Sequence, residues 1–193
     1  MIILILGSSH VRRLSHYIST VPRLANFGLA NIQVEYFGIS GGRIGRKDDI
    51  ELFYQQIARV QPEHIILHIG GNDIDVQGAD HEYIEEIVLK VVLVAQTFVS
   101  RFTSVRSVTV CELFPRLLTR KISVEHYNKL KRHFNLHLKQ ELKNSHSIQY
   151  WKIKGVKGSQ VKIFCDGVHL NNGEGMLRYY RSLRGALIQA STM

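Results

Sequence analysis

The segment Ile2-Ile3-Leu4-Ile5-Leu6 constrains the fold more than any other part of the chain. Five apolar side chains in a row leave no polar face for water, so a strand built from them is covered on both sides. Further short β-type runs occur at 32–37, 64–69, 107–111 and 148–151. Between them the apolar spacing changes to three and four. Tyr83, Ile84, Ile87, Val88, Val91, Ala95, Phe98 and Phe102 mark one face of a long helix, and Tyr127, Leu130, Phe134, Leu138 and Leu142 mark another. A last helix follows Asn171-Asn172, residues suited to capping, and carries Met176, Leu177, Tyr180, Leu183 and Leu187. Strands alternating with helices predict an α/β architecture, a five-stranded parallel sheet covered on both faces by right-handed crossovers. No repeat or Pro/Gly-rich linker divides the chain, so residues 1–193 are expected to form a single domain.

With 45% hydrophobic and 21% charged residues, the chain can bury a sizeable core, which excludes disordered and low-complexity classes. The apolar start, residues 1–6, is too short to span a bilayer and lacks the basic lead-in and cleavage site of a secretory signal. Cys111 and Cys165 make neither a disulfide framework nor a zinc spacing. A cytoplasmic protein with free thiols is expected. The formal net charge of +9 is unevenly spread. Residues 1–100 carry 8 Lys and Arg against 11 Asp and Glu, while 101–193 carry 17 against 5. The basic half suggests attraction to RNA or to an anionic lipid surface, set against the plainer reading of a solvated basic face.

In a parallel sheet of this kind the ligand crevice lies beyond the carboxyl ends of the strands. The polar, glycine-rich segments fall there: Gly7-Ser8-Ser9-His10 after the first strand, residues 38–45 after the second, Gly70-Gly71-Asn72-Asp73 after the third. Ser9 stands at a strand-to-helix turn, where unpaired N–H groups can stabilise an oxyanion. A serine needs a neighbouring base to become a nucleophile. His169 in Asp166-Gly167-Val168-His169 is the candidate base, with Asp166 three residues earlier to fix its tautomer. The plainer readings are an N-cap for Ser9 and a surface loop for Asp-x-x-His; the combination of segments favours chemistry.

Four blocks in this order resemble the SGNH hydrolases, also called GDSL esterases and lipases. Gly7-Ser8-Ser9 is similar to the first block with Ser9 as nucleophile, and Gly41 in Ile39-Ser40-Gly41-Gly42 to the second. Gly70-Gly71-Asn72-Asp73 is similar to the third and Asp166-Gly167-Val168-His169 to the last. The resemblance implies a flavodoxin-like sheet of strand order 2-1-3-4-5. It also implies ester hydrolysis through an acyl-enzyme, with an oxyanion hole from the N–H groups of Ser9 and Gly41 and the amide of Asn72. No metal or organic cofactor is implied. The family's usual Asp between Gly and Ser is Ser8 here, which puts loop rigidity or rate in question. Ser8 as nucleophile and Gly42 as donor are the adjacent alternatives.

Leu113-Phe114-Pro115-Arg116 is similar to a segment of the intracellular platelet-activating-factor acetylhydrolase catalytic subunits, which implies short acyl groups, acetyl above all. Residues 10–14, 166–171 and 180–186 resemble the esterase domains of first open-reading-frame proteins of LINE-type retrotransposons, which implies a ribonucleoprotein setting. Lys152, Lys154, Lys157 and Arg178 are candidate contacts for an anionic ligand, and a catalytically weak module binding RNA or anionic lipid is the alternative reading. His10 is too close to Ser9 along the chain to serve as its base and is expected to line the pocket or meet solvent. His64 and His68 share a strand face and are expected to bond within the sheet. His133 and His137 have the spacing of two metal ligands, but no third is suggested nearby in the sequence, so a solvated face is expected.

Overall fold

The computed structural model describes residues 1–192 and contains one five-stranded parallel sheet of order β2-β1-β3-β4-β5. The strands are β1 Ile2–Gly7, β2 Gln33–Gly38, β3 His64–His68, β4 Ser107–Cys111 and β5 Ile148–Trp151. The helices are α1 Ser9–Ser19, α2 Lys47–Val60, a single turn α3 Gly71–Ile74, α4 His81–Arg101, α5 Val124–Glu141 and α6 Glu174–Ala190. Short 3₁₀ segments occupy Pro22–Gly28 and Val161–Ile163. The fold class and strand order expected from the sequence are those observed. Four strand edges differ by one residue. Gly7 and Gly38 extend β1 and β2, whereas Ile32 precedes β2 and Ile69 lies beyond β3.

The pairing explains why β1 is apolar throughout. It lies between β2 and β3, and alternate side chains serve opposite faces. Leu4 and Leu6 join Ile65, Leu67, Val108 and Val110 beneath α2, α4 and α5, where Phe53, Ile57, Ile84, Val88, Phe98, Leu130 and Phe134 pack. Ile3 and Ile5 join Ile66 and Cys111 on the other face beneath α1 and α6, with Val11, Leu14, Met176, Tyr179, Leu183 and Leu187. Each large apolar side chain taken fully out of water contributes about 1.5–3 kcal/mol, so the two faces together supply the driving force for the layered fold.

Two close approaches bring α1 to the sheet at the end where Ser9 stands. A β-carbon at Gly38 would sit 2.3 Å from the Arg12 backbone nitrogen, and one at Gly7 would sit 2.7 Å from Val11 Cγ2. Only glycine permits that packing. On α6, Asn171 does the capping from outside the first turn. Its Oδ1 accepts the N–H of Gly173 at 3.1 Å and of Gly175 at 2.9 Å. No helix among the described residues is long and apolar enough to cross a membrane.

Candidate active site

Ser9 opens α1, with Ser8 in extended conformation as its N-cap. Ser8 donates its N–H to the His68 carbonyl at 3.2 Å, and its own carbonyl receives Val11 and Arg12, but its hydroxyl makes no cap bond. With Val11 and Arg12 committed to the Ser8 carbonyl, the N–H groups of Ser9 and His10 are the ones that the helix itself leaves to other acceptors.

The opposite wall is the segment between the second 3₁₀ turn and α6. It is closed by an isolated antiparallel bridge between Phe164 and Leu170 and by a bond from Cys165 N–H to the His169 carbonyl at 2.9 Å. Gly167, at φ +75, turns the chain so that Asp166 folds back over it. Asp166 Oδ1 accepts the N–H of His169 at 2.7 Å and of Val168 at 3.0 Å. Its Oδ2 faces His169 Nδ1 at 2.7 Å. Burial pushes the Asp166 carboxyl up, but the hydrogen bonds from His169 and Val168 outweigh it and hold the group well below the usual carboxylate range. A carboxylate at Nδ1 requires the proton there, which leaves the Nε2 lone pair for the Ser9 hydroxyl, 2.9 Å away. The Gly167 carbonyl takes the N–H groups of Leu117 and Leu118, at 2.6 and 3.2 Å, and so ties this loop to the segment after β4.

The other two loops meet Ser9 from the side. Gly41, at φ +69, lines the same cleft, whereas the N–H of Gly42 is committed to the Ile39 carbonyl at 3.1 Å. Asn72 donates one amide N–H to the Gly42 carbonyl at 3.1 Å and keeps a second for a ligand. Two residues to which the sequence reading gave no role hold these donors. Asp73, nearly fully buried, accepts the N–H of Ile44 at 3.1 Å and of Gly45 at 3.0 Å. It thereby pins the loop of Gly41 to that of Asn72. Arg116, also buried, donates to Asn72 Oδ1 and to Asp75 Oδ2. Both stand inside the loop motifs Gly70-Gly71-Asn72-Asp73 and Leu113-Phe114-Pro115-Arg116, but these bonds span 28 residues or more and leave no local trace.

Behind the loop of Asp166 and His169, the His10 ring lies against His68, Phe114 and His169, with centroid separations of 5.7, 4.9 and 5.4 Å. It packs inward and lines a small pocket with Ser9 and Asn72, the first of its two expected placements, and burial first, then the neighbouring imidazoles His68 and His169, push its pKa well down. His64 bonds to Ser107 and Thr109 across the sheet, as expected, whereas His68 reaches out of the sheet to the Tyr179 hydroxyl on α6 at 2.6 Å. Burial lowers both to about 4. Cys111 is buried and Cys165 exposed, and both thiols are free.

The cleft above Ser9 has a volume of about 560 Å³. Arg43, Arg46, Arg120 and Lys121 stand among its lining residues, and its two acids, Asp75 and Asp166, are already paired with Arg116 and His169. Lys152, Lys154, Lys157 and Arg178 do not line it. Lys154 and Arg178 instead border a separate groove with Trp151 and Arg181, where Arg178 pairs with Glu174 and donates to the Gly155 carbonyl. Lys152 and Lys157 are exposed.

No family model matches this sequence, and no curated protein matches it. Solved structures do share its fold. A GDSL-like lipase from Bacteroides thetaiotaomicron aligns with a TM-score of 0.71 at 16% identity, over 98% of this chain and 88% of that one. A member of the lipolytic G-D-S-L family from Veillonella parvula aligns at 0.68 and 20% identity, over 98% and 97%. Axe2, an acetyl-xylooligosaccharide esterase from Geobacillus, aligns at 0.66 and 15% identity, over 94% and 91%. At these identities the likeness establishes the α/β fold of GDSL hydrolases.

Proposed function

We propose that this protein is a serine esterase of the SGNH type. The single observation that carries the reading is the hydrogen-bonded chain Ser9–His169–Asp166, at 2.9 and 2.7 Å. Ser9 Oγ attacks the ester carbonyl carbon as His169 Nε2 takes its proton, and the Asp166 carboxylate stabilises the imidazolium. The carbonyl oxygen becomes an oxyanion facing the N–H groups of Ser9 and Gly41 and the amide of Asn72. As the C–O bond breaks, His169 returns the proton to the leaving alcohol and an acyl-Ser9 remains. Water then attacks that ester, with His169 again as base, to release the acid and restore Ser9.

Short acyl groups, acetyl above all, fit a site formed by tight loops with no apolar insertion to shelter a long chain. The cationic residues around the cleft favour an alcohol portion that carries negative charge. The test is hydrolysis of p-nitrophenyl acetate, butyrate and octanoate by wild type, Ser9→Ala and His169→Ala. Acetate turnover that vanishes in both variants, with thermal melting unchanged, supports the reading; undiminished turnover in Ser9→Ala overturns it.

A second activity is favoured by the basic groove beside Trp151. It would tether the esterase to RNA or anionic lipid in a cytoplasmic ribonucleoprotein, as the likeness to retrotransposon esterase domains suggests. Replacing Lys154 and Arg181, which border that groove, by alanine should weaken such binding and spare turnover of a neutral ester. Equal loss of both would refute separate sites.

A further inference from the structure

The outer faces of α4 and α5 gather five ionisable side chains that ester hydrolysis does not use. His133 and His137 stand one turn apart on α5, and Glu85 reaches them from α4. Glu85 Oε1 is 3.1 Å from His133 Nε2 and 3.9 Å from His137 Nδ1. One ligand atom from each of the three lies within 4.8 Å of the others. The third ligand that the sequence did not suggest is therefore supplied by α4, 48 residues before His133.

Two further contacts prepare these groups to bind an ion. Glu141 Oε1 lies 3.3 Å from His137 Nε2. A proton held there leaves the Nδ1 lone pair directed toward Glu85, the arrangement in which an outer carboxylate fixes the tautomer of a ligating histidine. The His81 ring stacks on His133 with centroids 4.4 Å apart and planes 10° from parallel, which restrains that imidazole. Nitrogen and oxygen ligands about 2.0–2.2 Å from a tetrahedral ion stand about 3.3–3.5 Å from one another. The observed spacings approach that geometry, and these partly exposed side chains can make up the difference.

We propose that Glu85, His133 and His137 form a site for a divalent transition-metal ion of the zinc class, with water completing the coordination. Two imidazoles and one carboxylate suit such an ion and not Mg²⁺ or Ca²⁺, which take oxygen ligands. Binding replaces the direct contact between His133 Nε2 and Glu85 and joins α4 to α5. None of the three ligands lines the Ser9 cleft, so the site is independent of the proposed hydrolysis.

The test is calorimetric titration of the whole protein with ZnCl₂, beside His133→Ala, His137→Ala and His169→Ala. The last variant controls for zinc held at the catalytic histidine. Wild type and His169→Ala are expected to bind one ion, with affinity reduced more than about tenfold in either α5 variant. Zinc should raise Tm in wild type and not in the α5 variants, whose melting without zinc reports that they fold. Unchanged affinity in His133→Ala and His137→Ala, absence of binding in wild type, loss of binding in His169→Ala alone, or equal binding of Mg²⁺ would each overturn the proposal.

Discussion

Arg116 Nη2 donates to Oδ1 of Asn72 at 2.7 Å, while Nη1 of the same guanidinium meets Asp75 Oδ2 at 2.9 Å. Asp75 in turn accepts the N–H groups of Arg120 and Lys121, so the fork is anchored at its far end. The bond to Oδ1 settles the orientation of the Asn72 amide and leaves its NH₂ group to donate to the Gly42 carbonyl and to one further acceptor. Asn72→Ala is expected to lower kcat by about 10²–10³-fold with folding retained. Arg116→Lys keeps a charge for Asp75 but cannot span both partners. It should lower kcat more than it raises KM in steady-state p-nitrophenyl acetate kinetics, and wild-type kcat in that variant would show that Asn72 needs no such support.

Asp166→Asn keeps an oxygen for the N–H groups of Val168 and His169 while removing the charge opposite Nδ1. An amide that presents its NH₂ there would favour the wrong imidazole tautomer, and kcat should fall by about 10⁴-fold, as in the serine-protease precedent. Melting temperature should barely change, because the side chain is half exposed. Measuring both quantities separates orientation of the base from stability of the loop.

Gly38→Ala places a methyl group against the backbone of Arg12 in the first turns of α1. Helix and strand must separate, at a cost of about 1–3 kcal/mol, and Ser9 moves with the helix. A lower Tm together with a lower kcat is expected. Full activity in a destabilised variant would show that Ser9 holds its place independently of that contact.

His64 lies only 2% exposed between β3 and β4, and burial lowers its pKa to about 4. The unfolded chain protonates this imidazole as pH falls through about 6.5, whereas the folded chain does so only near 4. The unfolded state thus binds the extra proton between those values, and stability should be level above pH 7 and decline below it. For one such group the loss approaches on the order of 3 kcal/mol once pH is below 4. Thermal melts of His64→Gln should show a shallower decline from pH 7.5 to 4.5; an unaltered slope would place the acid sensitivity elsewhere, with His10 and His68 the next to replace.

The sheet was legible because its signals are local. The run 2–6 demanded cover on both faces, and the three-four spacing of Ile84, Val88 and Val91 separated helix from strand within a few residues. The gathering of Ser9, Asn72, Asp166 and His169 at one rim was legible for a different reason. Each sits in a short loop whose chemistry is unusual for a plain turn, and topology alone assigns those loops to one rim. Arg116 and Asp73 escaped because a buried ion pair or an accepted N–H from a distant loop changes nothing in neighbouring residues. The inward packing of His10 depends on rings of β3, the segment after β4 and the Asp-His loop meeting at one point. Glu85 was invisible as a partner for His133 until two helices were laid side by side.

The hydrogen bond from Ser9 to His169 joins positions 160 residues apart. A chain emerging from the ribosome therefore carries its serine long before the histidine exists, and during synthesis the hydroxyl has no imidazole beside it. The sheet must pair and the last crossover must dock before the two meet, which makes this contact one of the most non-local in the molecule. Recovery of turnover after dilution from denaturant would accordingly time the last stage of assembly, whereas far-ultraviolet circular dichroism would time the helices that form before it.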